Sequence, residues 1–203
     1  MADSTTKEKT VRLDAANKYL YFAKLDDEPT DAKAWMIGLQ GQSSGTNTKT
    51  LQTIQTKTVD VKMAGSANQQ RTVLAYFQKG DGLFAKLKHA WQDNIIVHLY
   101  RVDMNDIKGD KPNRTAPAEY SQCIIATLPQ TETLNSVMQS NVAFEVQGLA
   151  QNGTVNENML EDNAFDLGRA LYGYLNPTEV GGSTAENTVG EDINKKAEAP
   201  NQN

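Results

Sequence analysis

Few side chains in this sequence have the types and spacing that catalysis needs. Neither His89 nor His98 has a second histidine at metal-ligand spacing, and the sequence contains no zinc-protease helix, nucleophile elbow or nucleotide-binding glycine loop. His98 is expected to be an interior histidine with satisfied hydrogen bonds. The consecutive carboxylates at residues 26–28 suggest a cation site, but three acids before a proline more often form a solvated turn. These residues indicate no reaction centre.

The single cysteine and one glycine pair are also better explained by structure than by chemistry. Cys123 lies in the apolar segment YSQCIIATL, which predicts a buried, inert thiol, and a lone cysteine excludes an internal disulfide. Gly80 and Gly82 flank Asp81 in a pattern that resembles a phosphate loop for three residues only, so a strand-to-helix turn is the stronger interpretation. No cofactor or metal site is expected, and the sequence favours a protein that is not an enzyme.

The charge balance argues against tight binding of nucleic acid. The 203-residue chain has 20 Lys and Arg against 25 Asp and Glu, and its lysines are scattered. An acidic surface would instead suit a channel through which a polyanion must slide. Residues 1–10 and the acidic residues 181–203 are polar and lack aromatic residues, which predicts disorder. Without a membrane-length apolar run or a signal peptide, the chain is expected to be soluble, made in a cytoplasm, and to hold one domain over residues 11–180.

A strand, a helix and a second strand form the centre of the predicted fold. Alternating apolar residues over 71–79 predict the first strand, Gly80 ends it, and Asp81 is expected to cap a helix over residues 81–92. The segment IIVHLYRV has apolar residues on both faces, which predicts a strand covered on both sides. The helix is expected to seal the sheet through its apolar residues Leu83, Phe84, Leu87 and Trp91.

Further alternating segments predict the rest of the sheet. Strands are expected over residues 18–25, 34–40, 58–63, 119–128, 131–138 and 141–149, with turns at 64–70 and 151–154. Residues 160–175 are compatible with either a short helix or an edge strand. About eight strands and one flanking helix predict a mainly β domain, either a β-sandwich or a partly closed barrel.

Residues 41–58 form the least globular stretch inside the predicted domain. The sequence GQSSGTNTKTLQTIQTKT is almost entirely Ser, Thr, Gln, Asn and Gly, and no acid occurs between Asp31 and Asp60. One interpretation is a mobile loop; the preferred one is an extended arm that becomes ordered against a neighbouring subunit through main-chain hydrogen bonds, because threonine favours extended structure. The side chains expected to contribute to this inter-subunit arm are Thr46, Thr48, Thr50, Gln52, Ile54 and Thr56.

The order of these segments resembles the major tail proteins of long-tailed phages of lactococcal and related Gram-positive hosts. The resemblance is carried by AWMIGLQ, RTVLAYF, FAKLKHAWQDN, IIVHLYRVD and the later VAFEVQG, and it extends over residues 19–180. It implies a β-domain with a helix at its flank that assembles into six-fold rings, stacked into a hollow tail tube in the virion. It also implies that DNA passes through the tube, and that the partners are other copies of the chain together with tape measure, tail terminator and distal tail proteins.

Two other classes of protein are compatible with the sequence. A tube or ring subunit of a contractile injection or secretion system would share the fold, and a monomeric ligand-binding or adhesive β-domain would share the composition. The arm separates the second class from the others. A monomeric module has no use for a long polar extension, whereas a tube protein would lose its polymers without it.

Overall fold

An antiparallel sheet of eight strands dominates the residues that the computed structural model describes, which are 16–78, 80, 82–132 and 137–166. The strands are β1 (Tyr19–Leu25), β2 (Trp35–Met36), β3 (Leu39–Gln55), β4 (Asp60–Tyr76), β5 (Val97–Asp103), β6 (Thr115–Thr127), β7 (Gln139–Val146) and β8 (Gln151–Asn156). The helix α1 (Leu83–Gln92) lies between β4 and β5, and short 3-10 segments occupy Ala16–Lys18 and Glu157–Met159. Within the described residues, the prediction of a mainly β fold with a flanking helix is confirmed.

The strand order is β2-β1-β5-β6-β7-β4-β3, and β6 is the strand on which the sheet branches. The first part of β6 pairs with β5 on one edge and β8 on the other, and its last residues pair with β7. Gly148, with φ 78°, lies in the turn between β7 and β8 and so lets both strands share one edge of β6. The predicted turn at residues 151–154 is wrong, because these residues pair with β6 as part of β8.

The sheet is not closed into a barrel, but a side chain bridges its two ends. Gln40, at the start of β3, donates from its amide nitrogen to the carbonyl oxygen of Tyr21 on β1 at 2.5 Å and accepts from the Tyr21 amide at 2.9 Å. Gly38, with φ 57°, turns the chain between β2 and β3, and a Cβ there would lie 2.7 Å from the Tyr76 carbonyl oxygen. The strand predicted over residues 34–40 is therefore divided into β2 and the start of β3, and Leu39 is 50% exposed.

Two apolar clusters cover opposite faces of β1 and β5. The first lies between the sheet and α1 and includes Val97 and Leu99, whereas Val102 belongs to the second cluster on the other face. The segment after β8 covers this second cluster, where Leu160 and Phe165 are fully buried. Residues of β5 thus face two different cores, which confirms the prediction that this strand is covered on both sides.

The helix α1 packs against the first cluster through Leu87 and Ala90, both completely buried. Leu83 and Phe84 are partly buried against the same cluster. The expectation that Trp91 seals the sheet is wrong, because this side chain is 48% exposed. It lies roughly 80° around the helix from Leu83 at about 3.6 residues per turn, so it falls at the margin of the apolar face of α1.

Three further sequence predictions concern the ends of helices and strands. Helix α1 begins after Gly82, whose φ is 68° and which has no side chain to cap it, while the predicted cap Asp81 lies outside the described residues. Thr131 forms an isolated bridge with Gln139, so the strand predicted over 131–138 is wrong where it is described. Residues 164–166 are helical, whereas 167–175 and the predicted disordered ends, 1–10 and 181–203, lie outside the described residues.

Candidate assembly surface

Strands β3 and β4 form a long hairpin that leaves the body of the sheet. β4 pairs with β7 only over residues 70–76, whereas its pairing with β3 continues to the rung of Gln55 and Asp60. The part beyond β7, residues 47–69, is hereafter the hairpin arm and extends roughly 30 Å at about 3.4 Å per residue. The turn predicted over 64–70 is wrong, because one antiparallel ladder runs through these residues. The strands predicted over 58–63 and 71–79 are parts of one strand, β4, and residues 41–55 are extended in β3.

The six predicted arm residues are spread along the hairpin from its root to its tip: Thr46, Thr48, Thr50, Gln52, Ile54 and Thr56. Two of the threonines bond within the hairpin itself. Thr48 Oγ1 lies 3.4 Å from the Asn68 carbonyl oxygen, and Thr56 Oγ1 accepts from the Val59 amide at 3.1 Å across the tip turn. These hydroxyls therefore stabilise the hairpin, and a contact surface must come mainly from other side chains.

Apolar side chains on one face of the hairpin arm form an exposed stripe. Ile54 pairs with Val61, and Gln52 pairs with Met63 on the next rung of the same face. Ile54, Val61 and Met63, hereafter the apolar stripe, are 47%, 46% and 52% exposed. In the sequence, the alternation of Val61 and Met63 with Asp60 and Lys62 predicts that the two apolar side chains face inward. The two kinds of residue do lie on opposite faces, but in the described structure no core lies beneath the apolar face.

The hairpin arm has a net positive charge, and its strand β3 forms an outer edge of the described sheet. It carries three lysines against one aspartate, although the whole chain has a net charge of -5. β3 is an outer strand of the described sheet, and Lys49 is its single charged residue over its length of 17 residues. Exposed strand edges are usually protected by charge, proline or a bulge. The edge of β3 has one lysine and register shifts at Gln40/Ser43 and Lys49/Leu51, and the uncharged lengths between them are suited to pairing with another chain.

The acidic turn that sequence reasoning weighed as a cation site is joined to basic side chains instead. Each of its three carboxylates has its own partner, with N to O distances of 3.0, 2.9 and 2.7 Å for the pairs Asp26 with His98, Asp27 with His89, and Glu28 with Lys86. The hydrogen bond that the His89 ring makes to the Asp27 carboxylate raises the pKa of His89. His98 also contacts the Tyr120 hydroxyl at 2.6 Å, which confirms that its ring is satisfied. These ion pairs connect the turn that follows β1 to α1 and to β5.

Cys123 is fully buried in the first cluster, and burial raises the pKa of its thiol to about 12. The prediction that this thiol is buried is therefore confirmed, and its raised pKa supports the expectation that it is inert. Across the described ranges, no three His, Cys, Asp or Glu side chains are grouped closely enough to hold a metal ion. No helix in the described part of the chain is long and apolar enough to cross a membrane.

Comparison with known proteins identifies the fold. No protein-family model matches the chain, and no curated protein matches it in sequence. Among solved structures, the SPP1 tail tube is similar at 14% identity over 74% of this chain and 84% of that one, with a TM-score of 0.61. The tail of an empty gene transfer agent particle, determined with C6 symmetry, is 8% identical over 70% of this chain and 99% of that one, with a TM-score of 0.53. The chain therefore has the fold of tail tube proteins.

Proposed function

We propose that this chain is a structural tail tube subunit, which assembles into six-fold rings that stack into a hollow tube in the tail of a phage virion. The fold is the first support, because the similar solved structures are tails and a tail tube. The charge is the second, since a net charge of -5 gives a surface that would not hold a passing nucleic acid by neutralising its phosphates. No catalytic role is needed for this function.

The hairpin arm is the observation that carries the proposal. A two-stranded hairpin is only marginally stable in water by itself. Within the described residues, the two strands of the hairpin pair only with each other along residues 47–69. Its apolar stripe is about half exposed. Both features are explained if the arm lies on a neighbouring copy of the chain, which would bury the stripe and pair or cover the free edge.

The occupant of this surface is a second copy of the chain, on grounds of charge and symmetry. The arm is basic on an acidic chain, so it is complementary to the remainder of an identical subunit. A contact between different patches of identical subunits closes into a ring when the rotation allows it, and otherwise continues as a filament. Tape measure, tail terminator and distal tail proteins are further partners implied by the sequence resemblance.

Shortening the hairpin arm tests the proposed function. Asn47 and Gln69 face each other across the ladder, so replacing residues 48–68 by Asn-Gly closes the hairpin with a two-residue turn that matches the strand twist. We expect this variant to stay folded and monomeric at concentrations where the full chain forms rings or tubes, as measured by light scattering and negative-stain electron microscopy.

A matched control replaces only the tip, residues 56–59, by Asn-Gly and keeps the apolar stripe. The Gln55 and Asp60 rung closes this turn in the same way. The control is expected to polymerise like the full chain. Polymerisation of the shortened variant at the concentration of the full chain would refute the role of the arm. An adhesive or ligand-binding domain would show no polymers in any of the three proteins.

A further inference from the structure

A buried arginine lies at the root of the hairpin arm, where the arm leaves the sheet. Arg71 is 4% exposed and is the second residue of β4, after Gln70, that pairs with β7. Its guanidinium donates from Nε and Nη2 to Glu119 Oε1 on β6, at 2.9 and 2.7 Å. Its Nη1 donates to Asn47 Oδ1 on β3, at 3.1 Å. One side chain therefore joins three strands, two of which belong to the hairpin.

The neighbours of Arg71 complete a polar network around the root. Gln69 donates to the same Asn47 oxygen at 3.1 Å, and its own Oε1 accepts from the Ala150 amide in the β7–β8 turn at 2.7 Å. Gln70 donates to Glu145 on β7 at 2.6 Å. The side chains of Asn47, Gln69, Arg71 and Glu119 are hereafter the root network.

The backbone of β3 is shaped to let Arg71 reach across it. Gly45 is the ladder partner of Arg71, and a Cβ on this glycine would lie 3.3 Å from both Cδ and Nη1 of the arginine. Such a contact is tighter than ordinary packing, so any larger residue would displace the guanidinium. The glycine is explained by this close approach and not by its own backbone conformation.

We propose that Arg71 is a positioning residue, which fixes the direction of the hairpin arm relative to the sheet through Asn47 and Glu119. Two-stranded ribbons twist and bend more freely than wide sheets, so a 30 Å arm needs an anchor at its base if its tip is to reach a defined place. A buried charged group with several hydrogen bonds supplies that anchor. The donors of a guanidinium are fixed in one plane, so its hydrogen bonds weaken when the strands that carry the acceptors move. The importance of this direction for assembly rests on the proposed function.

The direction of the arm can be measured without any assembly. Spin labels at Lys57→Cys on the tip and Lys88→Cys on α1, both exposed positions, give one distance across the molecule. The buried Cys123 thiol does not compete for the label. Full-length labelled protein diluted in unlabelled protein is expected to show a narrow distance distribution by pulsed electron spin resonance.

Asn47→Ala removes the link between Arg71 and β3 while leaving the buried pair of Arg71 with Glu119 intact. We expect the distance distribution to broaden by at least twofold while the protein stays folded, as checked by circular dichroism. Asn47→Asp keeps an acceptor oxygen for Arg71 and is expected to restore the narrow distribution. Asn68→Ala, on the adjacent rung, is the matched control and should behave like the wild type.

The outcomes separate this inference from the proposed function. An Asn47→Ala distribution as narrow as the wild type, or an Asn47→Asp distribution as broad as Asn47→Ala, would overturn the positioning role. If the direction changes as expected, the concentration needed for polymerisation should rise roughly tenfold, because a freer arm has more conformational freedom to lose when it lies on a neighbour. A broadened arm in a protein that never polymerises, even as wild type, would refute the proposed function and leave the role of Arg71 standing.

Discussion

Removing the apolar stripe should weaken assembly without weakening the fold. The perturbation is the triple substitution Ile54→Thr, Val61→Thr and Met63→Thr, which keeps residues that favour strands while removing apolar surface. The three side chains are 46–52% exposed in the isolated subunit. About half of each side chain is already covered in the isolated subunit, but none of the three belongs to either buried cluster. The remaining half is covered only when a neighbour lies on the arm.

The expected size follows from the exposed fractions. Complete burial of a side chain of this size is worth about 1.5–3 kcal/mol, and about half of each remains to be buried. The three together contribute about 2–3 kcal/mol per contact, after allowance for the methyl group that threonine retains. At about 1.4 kcal/mol for each factor of ten, the critical concentration for polymerisation should rise roughly 30- to 100-fold.

Light scattering across a concentration series, followed by ultracentrifugation of the polymer, measures this change. The matched control substitutes Gln55, Asp60 and Lys62 by threonine, which alters the neighbouring rungs on the opposite face of the arm and leaves the net charge unchanged. Both triple variants should stay folded, as measured by circular dichroism, because none of the substituted residues belongs to either buried cluster. Polymerisation of the stripe variant at the wild-type concentration, or an equal loss in the control, would refute the reasoning.

Three further predictions concern the body of the subunit. Arg114→Met should lower the free energy of unfolding by about 3 kcal/mol in urea titration, because Arg114 is 1% exposed and holds Glu157 and Asp166 against the second cluster. Hydrogen bonds from Arg114 lower the pKa of Glu157, and those from Lys111 and Arg114 lower the pKa of Asp166. The wild type should lose this stabilisation as the pH falls through the lowered pKa values, and Arg114→Met should lose much of that dependence. Phe144→Ala, at a completely buried position, should cost about 3–5 kcal/mol in the same titration. Cys123 should react with a thiol reagent at pH 8 only at the rate of unfolding, because burial raises its pKa to about 12; rapid labelling of the native protein would contradict its burial.

Sequence patterns located the elements that bury apolar faces against the two clusters. Strand β5 was predicted from apolar residues on both of its faces, and helix α1 from apolar residues that repeat near 3.6 residues. Trp91 was assigned to the core because periodicity gives a helix face but not where the sheet beneath it ends.

The hairpin arm was predicted as extended, but its second strand was missed. Residues 64–70 have the Gly, Ser and Asn composition of a turn, yet they pair with β3 through main-chain bonds that any side chain permits. Likewise Asn152 and Gly153 signal a turn, although β6 provides a pairing edge for them. Such pairings depend on a partner strand distant in sequence, so local composition does not reveal them.

The root network and the partners of the acidic turn follow the same pattern. Arg71 was correctly placed in a strand, but its acceptor Glu119 lies 48 residues further along the chain. Glu28 and Lys86 are 58 residues apart. Short-range spacing carries no signal for either contact, and only the sheet order brings these side chains together.

Electron cryomicroscopy of the purified full-length protein, concentrated until it scatters light, tests the central claim most directly. The account predicts hollow tubes of stacked six-fold rings, in which the stripe of Ile54, Val61 and Met63 is buried against a neighbouring subunit. Monomers at every concentration and salt, or assemblies in which the hairpin arm stays exposed to solvent, would contradict it.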